Sequence, residues 1–128
     1  MKTQQQLIDH ASKVRENAYA PYSNYAVGAA LLLDNGDIIT GVNVENSSFG
    51  GTVCAERSAV FTAVSQGFRN FKSIAVVTDS SPPAAPCGFC RQVLAEFAPD
   101  LPIILSNTKG EITEINLNAL LPMQFKLV

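Results

Sequence analysis

The stretch Cys54-Ala55-Glu56, followed later in the chain by Pro86-Cys87-Gly88-Phe89-Cys90, decides how this sequence is interpreted. Three thiolates can fill three corners of a tetrahedron around Zn²⁺ and leave the fourth corner for water. Glu56 is a hard ligand and lies too close to Cys54 in sequence to be the obvious fourth ligand, but it is well placed to move protons. The pattern therefore predicts a catalytic zinc site with Cys54, Cys87 and Cys90 as ligands and Glu56 as the proton carrier.

Both cysteine stretches coincide with predicted helix starts. Apolar residues recur at helical spacing from Ala55 to Val64, and Gly67 offers a C-terminal stop. A further helix is predicted from about Gly88 to Phe97. Helix N-termini carry partial positive charge and free N–H groups, which favour thiolates over thiols. Two helix starts that converge on one cation would create the pocket.

Outward from these helices, the chain predicts an alternating α/β order. A helix is expected over residues 3–19 with Thr3 as its cap, and a short helical turn over 117–121. Strands are expected over residues 27–33, 37–45, 73–78, about 102–106 and, more weakly, 111–116. The first two strands are separated by Asp34-Asn35-Gly36, a strong hairpin signal. The order αββαβαβ(β) indicates one mixed sheet covered by helices.

Composition indicates one domain of ordinary size over residues 1–128. The apolar fraction is 47% and the charged fraction is 16%, which suits a packed core and argues against disorder. The net charge is −2, and the nine Lys and Arg residues are scattered. A nucleic-acid partner is therefore disfavoured, and a small neutral molecule suits this surface better.

The sequence also predicts a cytoplasmic protein without a membrane anchor. No apolar stretch approaches the ~20 residues needed to span a bilayer. Gln4, Gln5 and Gln6 stand where a signal peptide would place its apolar region. In a reducing compartment, three cysteines are expected to act as thiols or metal ligands and not as a disulfide framework.

Five motifs in a fixed order carry a family resemblance. They are Ala20-Pro21-Tyr22-Ser23, Val27-Gly28-Ala29-Ala30-Leu31, Asn43-Val44-Glu45-Asn46, Cys54-Ala55-Glu56-Arg57 and Pro86-Cys87-Gly88-Phe89-Cys90-Arg91-Gln92. With these motifs, the chain resembles the small zinc-dependent cytidine deaminases, from its first helix to near its C-terminus. The resemblance implies a three-layer α/β/α sandwich with a mixed five-stranded sheet, one Zn²⁺ per chain, and a homotetramer with shared active sites. It also implies hydrolytic deamination of cytidine and 2′-deoxycytidine to uridine and 2′-deoxyuridine, with release of ammonia, in pyrimidine salvage.

The resemblance further implies roles for individual residues. Glu56 would move a proton from water to the ring N3 and would then shuttle a proton to the departing amino group. Asn43 and Glu45 alternate along a strand end, so their side chains face the same way, and the corresponding family pair binds the sugar 3′-hydroxyl. The backbone N–H of Ala55 would bind the pyrimidine O2, and a carbonyl near Ala85 would meet the leaving amine.

Three aromatic positions bear on the substrate. Tyr25 stands where the family usually has phenylalanine, and it should keep a stacking surface for a flat ring. Phe49 stands where the family often has tyrosine, so a hydroxyl is missing there. Phe125 matches an aromatic that the family lends to an adjacent subunit's site, although a terminal apolar residue more often serves packing alone.

Two arginines are expected to adjust the charge of the metal site. Three thiolates on Zn²⁺ leave the centre formally −1, which should make a bound water a poorer acid. Arg57 directly follows Glu56, and Arg91 directly follows Cys90. At least one of them is predicted to direct hydrogen bonds or positive charge at sulfur, and a surface salt bridge is the alternative for each.

Other classes of protein compete with this interpretation. A Cys-x-x-Cys that opens a helix is typical of thiol–disulfide oxidoreductases, but that class leaves Cys54-Ala55-Glu56 unexplained. A structural zinc module needs a fourth ligand, and the one histidine of the sequence, His10, lies on the predicted first helix. Deaminases of blasticidin-type antibiotics share the zinc motifs, but the segment 43–46 fits the nucleoside branch better.

Overall fold

A mixed five-stranded sheet forms the centre of the computed structural model, which describes residues 3–127. Its strands are β1 Gly28–Leu33, β2 Ile38–Val42, β3 Phe71–Thr78, β4 Pro102–Asn107 and β5 Ile112–Asn116. They lie in the order β2-β1-β3-β4-β5, with β3 and β4 parallel and the other neighbouring pairs antiparallel. The helices are α1 Gln4–Arg15, α2 Ala55–Ser65, α3 Gly88–Phe97 and α4 Leu117–Leu120, with a 3₁₀ turn at Phe49–Gly51.

The two faces of the sheet are covered by different helices. Because successive residues of a strand point to opposite faces, the buried strand β1 divides its side chains between two cores. One core lies under α1 and contains Leu7, Ile8, Ala11, Ala30, Leu32, Ala75, Val77 and Ile104. The other contains Leu31, Leu33, Ile74 and Val76, together with Val60 of α2 and Leu94 of α3. The predicted α/β/α layers and the predicted order of elements are confirmed.

The first helix is shorter than the sequence predicts. Its start at Thr3 is confirmed, because Thr3 and Gln6 exchange side-chain-to-backbone hydrogen bonds of 2.7 and 3.1 Å. Its predicted end at residue 19 is wrong, since α1 ends at Arg15. Tyr19 instead forms a parallel bridge with Val44, so its backbone groups are paired outside any helix.

Within residues 3–127, every helix is too short or too polar to cross a bilayer.

The strand boundaries follow the predicted turns closely. Gly36 of the hairpin has a φ of +94°, a conformation that glycine adopts without a steric penalty. The second strand ends at Val42 and not at residue 45, although Val44 still pairs with Val53 as an isolated bridge. The residues that follow Val42 are thereby held near the start of α2.

Helix α2 packs directly on the backbone of β2. A Cβ placed on Gly41 would lie 2.4 Å from the Ala59 nitrogen and 2.6 Å from the Ala55 carbonyl oxygen. Side chains larger than hydrogen are therefore excluded at this position unless α2 moves. Since Cys54 and Glu56 lie at the start of α2, Gly41 fixes the distance between these two residues and the sheet.

Gly41→Ala is therefore expected to lower the free energy of unfolding by about 1–3 kcal/mol, the usual cost of overpacking. Urea denaturation followed by circular dichroism would measure the change. Gly50→Ala is the matched control, because a Cβ there meets nothing within 4 Å. Equal midpoints for the Gly41 and Gly50 variants would contradict the close packing of α2 on β2.

Candidate active site

A cavity of about 330 Å³ opens at one edge of the sheet. Strands β2 and β3 run antiparallel to β1, which lies between them, so their C-terminal ends meet the N-terminal end of β1 at this edge. The strand ends contribute Val27, Asn43, Glu45, Val76 and Thr78 to the cavity wall. The start of α2 adds Cys54, Ala55 and Glu56, and the loop before α3 adds Ala84, Ala85 and Cys87. A concave and largely apolar site with a few convergent polar groups is typical of small-molecule binding.

Three cysteine sulfurs converge beside this cavity. Cys54 is the N-cap of α2, Cys87 is the N-cap of α3, and Cys90 lies in the first turn of α3. Neither N-cap side chain makes a capping bond to a backbone N–H of its helix, so both sulfurs remain available to a metal. The Sγ atoms of Cys54 and Cys87 are 3.7 Å apart, those of Cys87 and Cys90 are 3.5 Å apart, and all three lie within 4.8 Å of one another. The predicted convergence of the three sulfurs is confirmed.

The chemistry of the sulfur cluster fits a zinc ion. A hydrogen bond with Cys90, helped by Arg57, lowers the pKa of Cys54 to about 5. The same hydrogen bond and the burial of the thiol raise the pKa of Cys90 well above its usual range, with a further contribution from Glu56. At this spacing, a thiolate at Cys54 therefore disfavours the ionisation of Cys90. A divalent cation removes that conflict, and Zn²⁺ is the common partner of clustered cysteine thiolates.

Glu56 lies beside the sulfurs and is almost fully buried, at 5% exposure. Burial raises the pKa of its carboxyl group to about 7, the Cys54 thiolate adds to the increase, and Arg57 opposes it. A carboxyl group with a pKa near neutrality can both accept and donate a proton at physiological pH. Its position on the cavity wall suits the predicted role, which remains a prediction.

Arg57 is the arginine that contacts a sulfur. Its Nη2 lies 3.6 Å from the Cys54 Sγ, and its guanidinium carbon lies 5.5 Å from the centre of the Phe89 ring. Its Nε is buried and has no hydrogen-bond partner among the described residues. The side chain is therefore held between an aromatic ring and the metal site, where its charge favours thiolates.

The prediction required at least one of the two arginines to direct a hydrogen bond at sulfur, and Arg91 is not that one. Its Nε donates to the Pro86 carbonyl oxygen at 2.7 Å, and its Nη1 donates to the Leu120 carbonyl oxygen at 2.9 Å. The guanidinium therefore ties the segment before Cys87 to the end of α4. Arg91 supports the position of Cys87 through the backbone and makes no hydrogen bond to a sulfur within residues 3–127.

Arg57→Gln is expected to lower zinc affinity or turnover by roughly 10-fold or more, the usual effect of losing a residue that hydrogen-bonds to a metal ligand. Competition with a fluorescent chelator would measure the affinity. Arg69→Gln is the matched control, because Arg69 lies beyond the far end of α2 and its guanidinium donates to the Val64 and Phe68 carbonyl oxygens, away from the sulfurs. Unchanged affinity and unchanged turnover together would reject the assignment of Arg57.

The predicted sugar-binding pair, Asn43 and Glu45, lies on the cavity wall as expected. The Asn43 amide is also used within the fold, because it accepts from the Val27 N–H at 2.9 Å and donates to the Tyr25 carbonyl at 2.7 Å. Glu45 accepts from the Ser23 hydroxyl and N–H, which holds the pKa of its carboxyl group below the usual range. Both side chains therefore fix the segment that carries Tyr25, and their contacts to a sugar remain a prediction.

Of the three aromatic residues that the sequence singles out for substrate contact, one lines the cavity and two do not. Tyr25 lines it, and its hydroxyl bonds to the Ser80 hydroxyl. Phe49 is 76% exposed and packs edge-on against Tyr22 at 6.1 Å between ring centres. Phe125 is 69% exposed and does not line the cavity of its own chain, so contact with an adjacent subunit's site remains a prediction.

Sequence reasoning missed several cavity residues. Thr52, Thr78 and Ala84 line the site without having been singled out. Thr78 carried a usable signal, because a polar residue at the end of an apolar strand often faces a site. Ala84 and Thr52 carried none, since small side chains in loops have no distinctive pattern.

Comparison with known proteins agrees with this geometry. A family model described as the cytidine and deoxycytidylate deaminase zinc-binding region matches residues 1–105. A cytidine deaminase from Sporosarcina psychrophila is 52% identical over 122 residues, which cover 94% of this chain and 90% of that protein. A blasticidin-S deaminase from Bacillus cereus is 32% identical over 111 residues, covering 80% of this chain and 79% of that protein. The crystal structure of cytidine deaminase from Burkholderia pseudomallei matches with a TM-score of 0.94 and 46% identity, covering 97% of this chain and 100% of that chain.

Proposed function

Because the chain belongs to the cytidine and deoxycytidylate deaminase family, we propose that it deaminates cytidine and 2′-deoxycytidine to uridine and 2′-deoxyuridine. The observation that carries this proposal is the convergence of three cysteine sulfurs and the buried Glu56 on one cavity. A cavity of about 330 Å³ lies within the usual size range of small-molecule sites. Thiol–disulfide exchange would leave Glu56 and the third sulfur without a role.

The metal ligands and Glu56 have separate roles in the reaction. Cys54, Cys87 and Cys90 would hold one zinc ion per chain, which when bound lowers the pKa of a water molecule and makes it a nucleophile. Glu56 accepts a proton from that water and delivers it to the ring N3, which makes C4 more electrophilic. The water oxygen bonds to C4, and Glu56 takes the second proton from this added hydroxyl group and passes it to the amino group on C4. The C4–N bond then breaks and the amino group leaves as ammonia. One water is consumed, and its oxygen becomes the C4 oxygen of the product.

Substrate binding follows from the positions of the remaining cavity residues. The backbone N–H of Ala55 would bind the pyrimidine O2, and the carbonyl near Ala85 would accept from the leaving amine. The Tyr25 ring would stack on the base. Asn43 and Glu45 would bind the sugar 3′-hydroxyl at the mouth of the cavity.

We also propose a homotetramer of single-domain chains that share active sites. Phe49, Phe89 and Phe125 are more than two-thirds exposed in one chain, and exposed aromatic side chains of this size favour contact with another protein surface. In such an assembly, Phe125 would reach the cavity of a neighbouring chain. Light scattering would test the stoichiometry, and a specific activity that falls on dilution would support shared sites.

The predicted cellular role is cytoplasmic pyrimidine salvage. Three cysteines without a disulfide suit a reducing compartment, in which the thiols stay available to a metal. A reaction that recovers uridine from cytidine suits the reuse of nucleosides.

The function is tested by an assay that follows the loss of ultraviolet absorbance when purified protein is mixed with cytidine. Ammonia and zinc are measured in the same sample. Turnover with one zinc per chain supports the proposal. Deoxycytidylate and blasticidin S are the comparison substrates, because the family model and one relative name them. Turnover of either of these without turnover of the two nucleosides would overturn the proposed substrate.

A further inference from the structure

The turn between β4 and β5 contacts the loop that forms one wall of the cavity. This loop, residues 79–86, is called the pocket loop here, and it carries Ala84 and Ala85 on the cavity wall. Asn107 is the last residue of β4, and Glu111 lies in the turn. Both are far from the pocket loop in sequence, and neither lines the cavity. These two residues are called the clamp.

Asn107 is a buried amide whose hydrogen-bonding groups are all engaged. It is 4% exposed, and its Nδ2 donates to the Ser80 carbonyl oxygen at 2.8 Å and to a Glu111 carboxylate oxygen at 2.9 Å. Its Oδ1 accepts from the N–H groups of Lys109 and Glu111 at 3.0 and 3.1 Å. A side-chain amide offers two donor hydrogens and two acceptor sites, so Asn107 is saturated. It therefore joins the turn to the pocket loop with a fixed geometry.

Glu111 adds a second connection to the same loop. The Glu111 oxygen that accepts from Asn107 also accepts from the Ser81 hydroxyl. The hydrogen bond from Ser81 makes the largest contribution to holding the pKa of the Glu111 carboxyl group below its usual range, and the hydrogen bond from Asn107 adds to it. The carboxylate is therefore ionised near neutral pH, and hydrogen bonds to a charged acceptor are stronger than those to a neutral one.

The pocket loop passes these contacts on to the cavity. The Ser80 N–H donates to the Thr78 hydroxyl at 3.1 Å, and the Ser80 hydroxyl bonds to the Tyr25 hydroxyl. Thr78 and Tyr25 both line the cavity. Ser80 therefore connects the clamp to the cavity: its carbonyl oxygen accepts from Asn107, and its N–H and hydroxyl bond to two cavity residues.

We propose that Asn107 and Glu111 are positioning residues that fix the pocket loop and the Tyr25 ring at the distance required by a bound nucleoside. This inference rests on the proposed function. Neither clamp residue lines the cavity, and neither bonds to a sulfur within residues 3–127. Loss of the clamp should loosen the wall that contacts the base and leave Glu56 and the metal ligands on their helices in place. KM should therefore change more than kcat.

Glu111→Ala tests the inference, because the side chain is exposed at the surface and its removal creates no buried cavity. KM for cytidine is expected to rise roughly 10-fold, as expected when one or two hydrogen bonds to a charged group are lost, with kcat changed less than about 3-fold. Glu111→Gln keeps the accepting oxygen and should restore most of the affinity. Glu114→Ala is the matched control, since Glu114 lies on β5 and bonds to Gln4, away from the pocket loop.

Asn107→Asp provides an independent variant. It keeps the oxygen that accepts from the turn and removes the Nδ2 that donates to Ser80 and to Glu111, so KM should again rise with the zinc content unchanged. If this buried variant fails to fold, Ser81→Ala replaces it, since it removes the other link to Glu111. In a Tyr25→Phe background the effect of Glu111→Ala on KM should shrink, because the two changes break one connection.

The outcomes separate this inference from the proposed function. No turnover of cytidine by the unaltered protein would reject the function itself. Turnover with a KM that Glu111→Ala leaves unchanged would reject the clamp alone. A loss of zinc or an equal fall in kcat would also reject it, because the clamp would then act on Cys87 and not on the cavity wall.

Discussion

Glu56→Gln is expected to retain zinc and to lose at least ~10²-fold in kcat, the usual contribution of a general acid–base group. Glutamine has nearly the same shape as glutamate, so the buried side chain still fits between α2 and the cavity. It can donate a hydrogen bond, but it cannot accept a proton from water and later return it. Both proton transfers are therefore lost together.

The measurement is steady-state turnover of cytidine beside a zinc count per chain. Glu96→Gln on α3 is the control, because the substitution is the same and Glu96 does not line the cavity. Turnover of the Glu56 variant within a few-fold of the unaltered protein would refute the assignment. A variant without zinc would show that the carboxylate holds the metal site together, which also contradicts the proposed division of roles.

Cys87→Ala is expected to abolish both zinc binding at micromolar zinc and detectable turnover. Removal of one of three thiolates leaves two protein ligands, and catalytic zinc sites have three. Cys87 suits the test because it is exposed and its side chain makes no capping bond to α3, so its loss costs little packing. Cys90 is fully buried, and its replacement would confuse metal loss with a packing defect.

Zinc per chain, measured by atomic emission after gel filtration, should fall from about one to near zero for Cys87→Ala, in line with the three-ligand rule. Ser48→Ala is a suitable control, since Ser48 also precedes a helical turn and its side chain makes no capping bond. Full zinc occupancy with two remaining cysteines would mean that another group completes the site.

The positions of Cys54 and Cys87 at helix starts could be predicted from sequence because they depend on local rules. Cys54 and Cys87 stand directly before apolar periodic segments, and helix N-caps occur there. The bounds of α3 were predicted correctly for the same reason. The end of α1 was predicted wrongly because the pairing of Tyr19 with Val44 joins residues that are distant in sequence.

Helical spacing alone does not separate the two arginines. Arg57 follows Cys54 by three residues and Arg91 follows Cys87 by four, and both spacings place side chains on one face of a helix. Arg57 contacts the Cys54 sulfur, whereas Arg91 bonds to the Pro86 and Leu120 carbonyl oxygens, and Leu120 is distant in sequence. The contact of Asn107 with Ser80 likewise depends on how a turn and a loop meet after the sheet forms.

The placement of the cysteines on two helices has a consequence for how the molecule comes apart. Cys54 precedes β3 in the chain and Cys87 follows it, so the segment that joins the two sulfurs contains β3, which lies between β1 and β4 in the sheet. An ion that binds the native chain and not its denatured form stabilises the native chain by mass action. Release of the ion during denaturation would then report disassembly of the central strands, and a coloured zinc indicator could follow it in real time.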